Sequence, residues 1–111
     1  MDMQYIRVTF TREGWHRWPD AQGVRSYLSF MHRHMFHVTV MVYGVESRKI
    51  EFHDLRDYAL SCFPGGDMGA LSCEDMARNL AQRLCQTYGR DVLAEVSEDG
   101  EAGAGYTAIA V

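Results

Sequence analysis

Five histidines are the residues of this 111-residue chain most able to do chemistry, and two of them are spaced for it. His32-Arg33-His34 is an H-x-H pair at the start of an alternating segment. Side chains two apart on a strand share a face, so both imidazoles can reach one ion. Zinc takes three or four nitrogen, sulfur or oxygen ligands, and catalytic zinc keeps one position open. The same pair also suits two polar residues at a strand end. A third imidazole, His16, sits between Trp15 and Trp18 in a segment leading directly to His32. A loop folding back over the strand would complete a set of three. His37 falls on the face opposite His34, as a surface or core-edge histidine. His53 lies beside Asp54 on a predicted helix, as a solvated residue. Either could act as acid or base, because histidine titrates near neutral pH.

The elements that must position these groups are legible as patterns. Residues 4–11 alternate, with Gln4, Ile6, Val8 and Phe10 on one face, which predicts a strand. Residues 12–33 hold Gly14, Pro19-Asp20 and Gly23 and read as irregular. Residues 34–44 form the clearest strand, with Phe36, Val38, Val40 and Val42 on one side. Over 50–62 the period changes to helical, carried by Ile50, Leu55, Tyr58, Ala59 and Cys62. Pro64-Gly65-Gly66 breaks that helix. Ser72 is an N-cap for a second helix, with Glu74 and Asp75 in its first turn and Gly89 as its stop. Residues 91–97 and 105–111 read as two further strands, joined by a hairpin near Asp99-Gly100. The order ββααββ predicts an α+β fold: a four-stranded antiparallel sheet with two helices packed on one face.

Bulk properties narrow the partners. The length fits one domain, residues 1–111. With 11 basic and 15 acidic residues the net charge is −4, and no basic stripe offers nucleic acid a surface. No segment approaches the roughly 20 apolar residues of a membrane span. Met1-Asp2-Met3-Gln4 lacks the basic start and apolar run of a signal peptide. Cys62, Cys73 and Cys85 are odd in number and show no CxxC spacing, which points to a reducing cytoplasm rather than a disulfide framework.

Five segments, in order across nearly the whole chain, resemble motifs of one family. They are Phe10 with Gly14-Trp15-His16-Arg17, His32-Arg33-His34-Met35-Phe36-His37-Val38-Thr39-Val40, Ile50-Glu51-Phe52-His53-Asp54-Leu55-Arg56, Ser72-Cys73-Glu74-Asp75-Met76-Ala77, and Val96-Ser97-Glu98-Asp99 with Tyr106 downstream. Together they resemble the 6-pyruvoyl-tetrahydropterin synthase and 6-carboxy-tetrahydropterin synthase family, which has the tunnelling fold, or T-fold. The resemblance implies a single T-fold domain and zinc held by His16, His32 and His34. It implies that Glu98 anchors a pterin- or purine-like ring, with Tyr106 as a further ligand-binding residue, and it implies assembly into a homo-oligomer. A carboxylate accepts two parallel hydrogen bonds from the N–H and NH₂ edge of such a ring. Read without the resemblance, Glu98 is equally a turn carboxylate in an acidic hairpin.

The chain also departs from the family pattern. Family enzymes carry a basic cysteine four residues before the H-x-H, and this position is Leu28. Their aspartate–histidine pair is absent from Pro64-Gly65-Gly66-Asp67-Met68-Gly69-Ala70-Leu71. Proton transfer needs a positioned group near the operating pH, and His37, His53, Glu74 or a zinc-bound water are the candidates left to supply it. Two functions follow. One is a metal-dependent lyase-like protein acting on a pterin- or purine-like ring. The other is a non-catalytic module that binds or sequesters a purine-containing metabolite or signal nucleotide.

Overall fold

The alternation of the first strand continues beyond its apolar members. In the computed structural model, which describes residues 3–111, β1 runs Tyr5–His16. Met1 and Asp2, the first residues of the N-terminal segment that lacks the signal-peptide pattern, lie outside the described residues. Val8, Phe10, Gly14 and His16 all turn to one buried face, although the last two are not hydrophobic and hide the period. Strand β2 (His32–Tyr43) pairs antiparallel with β1 along its whole length, from Tyr5 opposite Tyr43 to His16 opposite His32. The stretch read as irregular is therefore strand at both ends. Between them lies one 3₁₀ turn, Gly23–Ser29.

Helix α1 (Phe52–Cys62) starts at Glu51, whose carboxylate accepts from the Asp54 N–H. Arg12 of β1 closes its other end, donating to the carbonyls of Leu60 and Phe63. A guanidinium there meets the negative end of the helix dipole and the last unpaired carbonyls.

The sheet departs from the four antiparallel strands expected. It has five strands, β3-β1-β2-β4-β5, and is mixed. The added strand is β3 (Gly66–Asp67), parallel to Gly14-Trp15 of β1. The physical reason lies in the turn before it. Gly65 has φ +71°, and a Cβ on it would stand 2.7 Å from the Glu13 carbonyl. Only glycine lets the chain pass that close and run back along β1.

Helix α2 (Cys73–Tyr88) begins in a capping box. Ser72 Oγ accepts from the Asp75 N–H at 3.0 Å, and the Asp75 carboxylate accepts from the Ser72 N–H at 3.2 Å. These bonds hold the Asp75 carboxyl below its usual range. Gly89 ends the helix in the left-handed region. β4 (Val92–Glu98) and β5 (Ala102–Ala108) follow. The hairpin turns at Asp99-Gly100 as expected, but with both residues at positive φ Glu98 stands opposite Ala102, so β5 begins three residues before the expected 105.

Both α-helices contribute to one core with the sheet face of even-numbered strand residues. Val38, Val40, Val42, Val92, Ala94 and Val96 meet Leu55, Ala59, Met76, Leu80 and Leu84 there. At one end of that face Gly14 leaves room for the Phe36 ring. A Cβ on Gly14 would lie 2.9 Å from Phe36 Cε2. Gly14→Ala is expected to lower stability by about 1–3 kcal/mol, the usual cost of overpacking a core. Urea denaturation reads this directly, and an unchanged midpoint would refute the steric account.

Candidate metal centre

Strand parity brings the site together. His16, His32, His34 and Glu98 all stand at even positions, on the face the helices cover. His16 is directly opposite His32, Gly14 opposite His34, and Phe36 opposite Glu98. The ring centroids lie 4.7 Å apart for His16–His32, 5.3 Å for His16–His34 and 5.0 Å for His32–His34. Phe36 forms an apolar floor, edge-on to His16 at 5.3 Å and His34 at 5.7 Å.

The outer nitrogens of the three rings fix which way the inner ones face. His16 Nδ1 is 2.8 Å from the Leu71 carbonyl, and His32 Nδ1 is 2.9 Å from the Phe30 carbonyl. His34 Nδ1 is 2.8 Å from Asp99 Oδ2. A carbonyl oxygen can only accept, as can an ionised carboxylate, so each Nδ1 carries the proton and donates. In the neutral ring each Nε2 then presents a lone pair. This arrangement, with Nδ1–H donated outward to oxygen and Nε2 turned inward, is how metal-bound histidines are oriented.

Two of those inner nitrogens, on His16 and His34, are buried and without a hydrogen-bond partner. Glu98 Oε2 approaches them at 2.8 and 3.4 Å without forming a hydrogen bond to either. Buried polar atoms are rarely left unpartnered, because each costs roughly 1–3 kcal/mol. Here four ligand atoms, one from each of His16, His32, His34 and Glu98, lie within 4.8 Å of one another. A single divalent cation would satisfy all of them, so the residues fit such an ion. Three imidazoles and one carboxylate suit zinc, iron or nickel by donor type.

Comparison of the chain with protein-family models gave no match, and comparison with curated proteins gave none either.

The cluster opens into a depression of about 550 Å³. Its lining includes Trp18, Leu28, Cys73 and Glu74 from the start of α2, and Glu98. Leu28 is among the lining residues, and it offers no group that can take a proton. A thiol reaches the same depression from elsewhere: Cys73, buried at the first turn of α2. Burial, reinforced by the charges of Glu98 and Glu74, pushes that thiol up to about 12, so it stays protonated at neutral pH.

The remaining sequence candidates are spread over the molecule. Glu74 lines the depression beside Cys73. His37 stands on the other face of the sheet, near Gly100, with Thr39, Glu95 and Ser97 as neighbours. His53 projects from the first turn of α1 with 88% of its side chain exposed, bonded to Glu51 at 2.9 Å. Tyr106 is in contact with Gln82 of α2 and lines a different depression from the one bordered by Glu98. Sequence reading missed Phe36 as the floor, Cys73 as a lining thiol and Asp99 as the partner of His34. Parity would have flagged Phe36, two residues after His34. Nothing local flags the other two, because their contacts depend on where α2 and the β4–β5 turn arrive.

Proposed function

We propose that this chain is a divalent-metal protein of the T-fold type. In this reading it takes a pterin- or purine-like ring in the depression beside His16, His32 and His34, as the resemblance to 6-pyruvoyl- and 6-carboxy-tetrahydropterin synthases implies. The single observation that carries the proposal is the convergence of three Nε2 lone pairs, two of them buried and unpartnered. Zinc is the ion proposed. It supplies Lewis-acid polarisation of a ligand oxygen. In this reading the three imidazoles hold the ion, and Glu98, which borders both the cluster and the depression, is left to anchor a ring N–H and NH₂ edge. Trp18, exposed at the rim, offers a flat apolar face to a ring. The β5 edge, Ala102–Ala108, carries no charged residue to discourage pairing, which supports assembly with further copies. Among the described residues no helix is long and apolar enough to cross a membrane.

A second reading rests on Leu28 and Cys73. Leucine lines the depression, the Cys73 thiol is held protonated, and in this reading the lining histidines are committed to the ion, which leaves Glu74 and Glu98 as the candidate proton acceptors among its described lining residues. That favours a module that binds a purine-containing metabolite or signal nucleotide without turning it over.

Elemental analysis of the purified protein is expected to show about one divalent ion per chain. Mass spectrometry of the small molecules released on denaturation is expected to show an aromatic nitrogen heterocycle. Protein that stays metal-free after incubation with zinc would sink the proposal. Dihydroneopterin triphosphate separates the two readings: turnover by the zinc-loaded protein supports the lyase, and binding without turnover supports the module.

A further inference from the structure

The three histidines are not oriented by equivalent partners. His16 and His32 donate to the main-chain carbonyls of Leu71 and Phe30, acceptors that no side-chain substitution alters. His34 alone donates to a side chain, Asp99 Oδ2. The ligand set is therefore under side-chain control at one point.

Asp99 is itself held in place. Its Oδ1 accepts from the Met35 N–H at 2.9 Å, while its own N–H donates to the Met35 carbonyl at 2.9 Å. It sits at φ +57°, the left-handed position of the turn between β4 and β5. Aspartate and asparagine tolerate this conformation better than most side chains. With one oxygen fixed by a main-chain donor, the other is aimed at His34.

We infer that Asp99 is a positioning residue: it fixes His34 in the Nδ1–H tautomer and so turns the Nε2 lone pair into the cluster. The inference deepens the metal reading and rests on it for its consequence, although the tautomer can be measured without any ion. Carboxylate–histidine pairs of this kind set ring tautomer and orientation, and removing the carboxylate typically lowers metal affinity 10–100-fold.

Asp99→Asn is the sharpest variant, because it keeps shape and backbone preference while changing one acceptor into a donor. The Met35 N–H still needs an oxygen, so the asparagine NH₂ faces His34 Nδ1. That nitrogen must then accept, and the ring proton moves to Nε2. His34 would point an N–H at the ion instead of a lone pair. Asp99→Gly removes the partner without reversing its polarity and leaves the tautomer unforced.

Long-range ¹H–¹⁵N correlation spectra of the metal-free protein identify the tautomer. His34 is expected as Nδ1–H in the wild type and as Nε2–H in Asp99→Asn. Competition with a chelator is expected to show zinc affinity falling 10–100-fold in Asp99→Asn and less in Asp99→Gly. A role confined to the turn predicts the reverse order or no loss, since asparagine suits the backbone as well as aspartate does. Wild-type His34 found as Nε2–H, or one tautomer shared by wild type and Asp99→Asn, overturns the inference. Asp99→Asn binding zinc as tightly as wild type also overturns it. A wild type that binds no zinc refutes the metal reading instead, and the spectra still decide the role of Asp99.

Discussion

Replacing His32 by alanine is expected to lower zinc affinity about a hundredfold to a thousandfold while leaving the fold intact. Structural zinc sites with four protein ligands bind with about 10–16 kcal/mol, so one ligand accounts for roughly 2.5–4 kcal/mol. His32 is the cleanest of the three to remove. It is only partly buried, and its Nδ1 hydrogen bond goes to the carbonyl of the exposed residue Phe30. His16→Ala confounds two effects, because His16 is 6% exposed and its loss also strands the Leu71 carbonyl. Arg33→Ala serves as the parity control. Arg33 is one residue along but on the opposite face, paired with Glu13 at 2.8 Å, and its loss should leave zinc affinity within a factor of about two. Isothermal titration of the three variants is the measurement. Equal affinity in wild type and His32→Ala would rule out the proposed ligand set.

Phe36→Ala is expected to cost about 3–5 kcal/mol, a large part of the roughly 5–15 kcal/mol that holds a domain together. The ring is fully buried and packs against Phe63 as well as the two histidines. Gly14 beneath it has no side chain with which to refill the space. The same deletion removes the floor on which His16 and His34 stand, so zinc should stabilise this variant less than it stabilises the wild type. Binding to the folded state alone adds RT ln(1 + [L]/Kd), so urea melts with and without zinc give both quantities. A loss below about 1 kcal/mol would show that the core collapses around the gap. An unchanged zinc increment would show that the histidines do not depend on the ring.

Much of the architecture follows from local pattern. The period of two over residues 4–11 and 34–44 becomes β1 and β2, and Ser72 and Gly89 bound α2 as its cap and its stop. Patterns failed where the residues facing inward were not apolar. Arg12, Gly14 and His16 continue β1, but their alternation carries no hydrophobic signal. The short parallel strand β3 failed for a different reason: two residues have no period at all, and only the close pass of Gly65 over Glu13 creates the pairing.

The three-histidine set shows the same division. The H-x-H spacing by itself puts His32 and His34 on one face, because strand side chains alternate. It also sends His37 to the other face, where it stands beside Gly100. What spacing could not give is register. His16 meets His32 because β1 and β2 pair with those two residues opposite, and Glu98 joins them because β4 lies on the other side of β2. Shifting either register by one residue would turn its histidine or glutamate to the far side of the sheet. Tautomer is further still from the sequence. Three inward lone pairs require three outward acceptors, and Leu71, Phe30 and Asp99 reach them from a loop, a 3₁₀ turn and a hairpin corner. The sequence alone offered three histidines with the chemistry to hold a metal and determined which two share a face, while Glu98 was read there as a ring anchor or a turn carboxylate. The tertiary structure alone decided that four of them meet, and which way their lone pairs point, because both depend on hydrogen bonds between residues up to 65 positions apart.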